Sequence, residues 1–130
     1  MSTQSPALSP NRAGVIVRLK GEPWFLSAHL VRRFVPPPTL SDVAGTGLTM
    51  ALVDGQVLAI IAVGPRGSAL TVCEVAGELV GLLGAEPEEV GFFERSGAGV
   101  AFRDQIALDL DVAELVRASA RGTFEQEAGA

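Results

Sequence analysis

His29 and Cys73 are the side chains best suited to acid–base or nucleophilic work near neutral pH, and each stands alone, because the chain has one histidine, one cysteine and no tyrosine. A catalytic or metal-binding histidine needs further His, Cys or carboxylate groups at ligand spacing, and none flanks His29. A hydrogen-bonded or exposed ring is the ordinary reading. Ser27, His29 and Asp42 are neighbours in sequence only; a triad is a spatial constellation, and no nucleophile elbow of the GxSxG kind is present. Cys73 sits inside an apolar strand pattern where a small buried thiol is common, and no second cysteine offers an intrachain bridge. Gly45-Thr46-Gly47 and Ser96-Gly97-Ala98-Gly99 lack the Lys-Ser/Thr of a phosphate loop and read as turns. Glu86, Glu88 and Glu89 read as a solvated charged turn rather than a rigid cation cage. Asp109 and Asp111 fall on the outward side of a strand, where charge is expected anyway. The expectation is a non-enzymatic protein with no cofactor and no metal.

Charge and composition narrow the partners. The formal net charge is −5, and the ten cations are Lys20 and nine scattered arginines, of which only Arg32 and Arg33 are adjacent. No basic face is there to neutralise a phosphate backbone, so nucleic acid is not an expected partner. With 48% hydrophobic residues in 130, one domain can bury a core without disulfides or a metal. The opening residues, MSTQSPALSPNR, lack the apolar run of a secretory signal, and the longest apolar run, from Val57 to Gly64, is far too short to span a bilayer. A soluble cytoplasmic protein without membrane insertion is expected.

The elements that would carry a surface are mostly strands. Leu48 to Val53 and Gln56 to Val63 flank Asp54-Gly55, a turn dipeptide able to supply positive φ, so they read as a hairpin whose second strand is almost wholly buried. Leu70 to Val75 and Glu78 to Leu83 form a second hairpin, closed at Ala76-Gly77. Gly14 to Lys20 alternates as a half-buried strand. Trp24 to Val35 is read as strand with an irregular turn near His29. Pro36-Pro37-Pro38 cannot continue a paired strand, so 36–47 is expected to be a connecting loop. A loop or single helical turn is expected over 85–89, with Pro87 at a first helical position. Val100 to Phe102 and Ile106 to Leu110 flank a turn at Arg103-Asp104-Gln105. Asp111, three residues before Glu114, makes a capping box for a short amphipathic helix from Val112 to Ala120. The total is about eight or nine short strands and one terminal helix, which points to barrel-like sheets. Residues 1–12 and 121–130 read as disordered tails around a domain at 13–120.

In order and spacing these segments, from Gly14 to about Val116, resemble the CheW-like family of chemosensory adaptors. The resemblance rests on the Leu52-Val53-Asp54-Gly55 hairpin with Val57 to Val63, on Gly77-Glu78-Leu79-Val80-Gly81-Leu82-Leu83, and on Ile106 to Val116. It departs where the family's Asn-Leu-Arg-Gly becomes Leu52-Val53-Asp54-Gly55, and where its following Pro and strand-ending Asp become Ala59 and Ala62. Arg33 falls where the family carries an acidic residue and Asp54 where it carries Arg, so the charges at these positions are exchanged.

The resemblance implies an all-β fold of two small SH3-like five-stranded barrels with a short C-terminal helix. It implies a non-enzymatic adaptor that couples the cytoplasmic tip of a methyl-accepting chemoreceptor to the regulatory domain of a histidine kinase in bacteria. It places Val31, Arg33, Val53 and Asp54 at the protein-binding surface. The departures suit an accessory adaptor, of the kind found in gliding-motility pathways, that has kept only one partner. A rival from another class is a small β-barrel that binds an apolar ligand in its seam.

Overall fold

Tight turns cut the apolar runs into short strands, and the computed structural model, which describes residues 10–46, 48–65 and 67–119, contains eleven of them and one helix over 112–119. In chain order they are β1 (Asn11–Leu19), β2 (Glu22–Ser27), β3 (Val31–Val35), β4 (Leu40–Val43), β5 (Leu48–Val53), β6 (Gln56–Ala62), β7 (Leu70–Val75), β8 (Glu78–Leu83), β9 (Pro87–Ser96), β10 (Gly99–Phe102) and β11 (Gln105–Asp109). Three hairpins close through two residues of positive φ, as at Asp54 (51°) and Gly55 (81°), whose twist matches that of the flanking strands. Helix α1 (112–119) starts where the Asp111 carboxylate accepts a hydrogen bond from the Glu114 amide at 3.0 Å, the expected cap.

The strands make two units. β1-β2-β11-β10-β9 close into a barrel; β3-β7-β8-β6-β5-β4 form a six-stranded sheet. The barrel encloses Ile16, Phe25, Phe93, Val100, Phe102 and Ala107. Its phenylalanine rings meet edge to face, Phe25 and Phe93 at 6.0 Å and Phe93 and Phe102 at 6.3 Å, the geometry their quadrupoles favour. A guanidinium lies over each terminal ring: Arg12 stands 4.6 Å from the Phe25 centroid and Arg103 4.6 Å from that of Phe102. Asp109 anchors the first at 2.7 Å and Glu88 the second at 3.1 Å. Glu88 also accepts from Arg18 at 2.8 Å, and the Arg18 hydrogen bond, helped by the charge of Arg103, holds the Glu88 carboxyl below its ordinary range.

Between barrel and sheet lies a continuous apolar seam. Val15, Val17 and Leu26 meet Cys73, Val80 and Leu82 there, and Leu110, Val112 and Leu115 from the C-terminal segment pack on them. β1 is therefore buried on both sides, with Ile16 facing the barrel interior and Val15 and Val17 the seam. The alternation had suggested one wet face, but a strand shared by two cores has none over these residues. Burial pushes the Cys73 thiol up to about 11, against a smaller opposing pull from Arg32. Native protein should therefore resist a thiol reagent at pH 8 and react fully once unfolded in urea; rapid labelling without denaturant would contradict this seam.

Several expectations are corrected. The sheet has six strands where a second five-stranded barrel was expected, because β4 forms inside the stretch read as a loop, pairing Leu40↔Ala51 through Val43↔Leu48. Of the segment read as a loop or single helical turn, 85–86 is a loop but 87–89 begin β9, since Pro87 is tolerated as a first strand residue and the acidic side chain of Glu88 meets two arginines. β6 is not almost wholly buried: only Leu58 and Ile60 are, because they face the core of the sheet while Val57 and Ala59 alternate outward. Of the expected tails, 1–9 and 121–130 lie outside the described residues, while Asn11 and Arg12 belong to β1.

Candidate interaction surface

The clearest polar feature of the six-stranded sheet spans its open side. In strand order β3 is an edge, and three spacings separate it from β6, roughly 14 Å if the sheet were flat. Yet Arg33 of β3 forms an ion pair with Asp54 in the β5–β6 turn. Contact at that separation requires the sheet to curl, and it does so around Ala51, Val53, Leu58, Ile60, Leu70, Val72 and Leu83. The two edges are joined by the chain through 36–39 rather than by hydrogen bonds. Pro36 to Pro38 have no donor to offer, the bulge between Val31 and Arg33 interrupts β3, and β4 is only four residues long, all features that blunt an edge against further strand addition.

A groove of about 630 Å³ lies over this gap, lined by Val35, the three prolines, Leu52 and Val53, with Arg33 and Asp54 among its polar residues. Both charged side chains stay about half exposed, so the pair orients more than it stabilises. Leu52 of this lining and Val57, directly opposed to it across β5 and β6, are 66% and 62% exposed. They leave an uncovered apolar pair on the strands that carry the Asp54 turn.

Of the four residues expected at such a surface, the structure brings together three. Arg33 and Asp54 pair, and Val53 lines the same groove, although at 8% exposure it belongs to the sheet core and offers a partner almost no area. Val31 lies at the other end of β3, partly buried against the seam. Leu52 and Val57 were missed; the signal was the phase of β5, where Leu52 stands between the inward Ala51 and Val53. His29 sits on the turn after β2 with Nδ1 2.8 Å from the Ser27 hydroxyl, the hydrogen-bonded state expected of it. Asp42 accepts a hydrogen bond from the Thr49 hydroxyl at 2.8 Å across β4 and β5.

The fold has a counterpart among solved structures. The chain is similar to the crystal structure of the scaffolding protein TtCheW from Thermoanaerobacter tengcongensis, with a TM-score of 0.55 and 18% identity over 75% of each chain. The fold is CheW-like. At that identity the likeness speaks for the fold alone. No family model matches the chain, and no curated protein matches it. Among the described residues no helix is long and apolar enough to cross a membrane.

Proposed function

We infer that this protein is a non-enzymatic cytoplasmic adaptor that holds a chemoreceptor tip and a histidine kinase in a fixed relation within a bacterial chemosensory system. The likeness in fold to a CheW scaffolding protein is the observation that carries this reading. The groove at Arg33 and Asp54, with Leu52 in its lining and Val57 across from Leu52, supports it by supplying an uncovered apolar surface with a polar orienting pair. An adaptor of this kind works through differential contacts: a partner whose two states grip the groove unequally shifts the state of whatever else is bound.

The paired charges give the test its form. Asp54→Arg sets two cations side by side and Arg33→Glu two anions, whereas the double exchange rebuilds a pair of reversed polarity. Each single variant is expected to weaken binding of a receptor-tip fragment, and the double variant to recover part of the loss, with a coupling of about 0.5–1 kcal/mol. Strict additivity would mean that the pair does not meet the partner as a unit. Reconstitution with receptor and kinase tests the wider reading: kinase activity should follow the concentration of this protein, and a flat response with no binding to either partner would end it.

A further inference from the structure

The seam opens at one side into a cleft of about 730 Å³, bounded by Leu19, Trp24, Val63, Leu110 and Leu115. Barrel, sheet and helix each contribute a wall, and the volume lies within the range of small-molecule sites at junctions between units. Its mouth carries two charges of opposite sign. Lys20 takes the first place of the β1–β2 turn with φ 53°, and Glu22 stands opposite Leu19 in the register, so its side chain leaves the sheet on the same face as an apolar wall of the cleft. Among the described residues neither Lys20 nor Glu22 makes an ion pair or a side-chain hydrogen bond, whereas Arg18 just before them is bound to Glu88. An ammonium and a carboxylate held apart by one glycine, both exposed at an apolar cleft, complement a ligand that carries the same two charges on a single carbon and an apolar body.

We propose that this cleft binds a free amino acid with a large apolar side chain, its carboxylate at Lys20, its ammonium at Glu22 and its side chain against Trp24, Leu110 and Leu115. The site is separate from the groove at Arg33 and Asp54 and does not depend on the adaptor reading.

Trp24 is the only tryptophan in the chain, so its emission reports on the cleft directly. Titration of the full chain with L-phenylalanine, excited at the red edge of tryptophan absorption, should give a saturable change. Two probes divide the ligand's charges: 3-phenylpropanoate lacks the ammonium and 2-phenylethylamine the carboxylate. Each should bind more weakly than phenylalanine by about 3-fold, the worth of one exposed charge contact. Lys20→Gln should weaken phenylalanine and the acid but leave the amine unchanged, and Glu22→Gln should do the converse; both positions are exposed, so neither change threatens folding. No saturable response to phenylalanine, equal affinity for phenylalanine and both probes, or variants that affect the two probes alike would each overturn the proposal.

Discussion

Phe25→Ala should remove about 3–5 kcal/mol of stability, read as a large fall in the urea midpoint. The ring is 1% exposed, packs edge to face on Phe93 and carries the Arg12 guanidinium on its outer face. The chain also clears space for it: a Cβ at Gly14 would stand 2.6 Å from Cε1 of this ring, so the strand beside it gives up a side chain to admit an aromatic. Truncation leaves a cavity that β1 cannot fill without distorting its pairing with both β2 and β9. A loss below about 1 kcal/mol would mean that the barrel interior is not packed around this ring.

Gly84→Ala is the second change of large effect, with an expected loss of about 3 kcal/mol or more. Gly84 has φ 94°, a conformation that an L side chain rarely takes, and an added Cβ would run into the backbone of Gly64. The two chains must approach closely there, because the Leu83 carbonyl accepts the amides of both Val63 and Gly64 at 2.9 Å, and the Gly84 amide reaches Ala69 O at 3.0 Å. This knot sits where the chain leaves the sheet for the barrel, between β8 and β9. The neighbouring turn offers a control: Gly77→Ala meets nothing within 4 Å and suffers only its backbone strain at φ 82°. If the two variants lose equal stability in parallel urea melts, the close approach at Gly64 contributes nothing.

These contrasts also separate what the chain declares locally from what only its tertiary contacts decide. The hairpins at Asp54-Gly55 and Ala76-Gly77 were legible because a two-residue turn and flanking apolar runs are local signals, and both pair in the expected register. So was the cap at Asp111. β4 was not legible, since three prolines mask a strand whose reason to exist is the edge of β5, with Asp42 tied to Thr49. β9 was hidden by Glu88 and Glu89, whose charges read as solvent until Arg18 and Arg103 are brought across the barrel. The candidate surface was half legible. The exchange of charge at Arg33 and Asp54 pointed to residues that do meet, whereas Val31 and Val53 carried no mark of which face they would take.

β1 has one further consequence. Val15 and Val17 are anchored in the seam while Ile16, between them, is anchored in the barrel, and no flexible linker runs between the two cores at this point. Movement of the sheet against the barrel must drag past Val15 and Val17 while Ile16 pins the same strand inside the barrel. A change at either valine thus bears on the filling of the barrel as well as on the seam, because Ile16 is its direct neighbour in the chain.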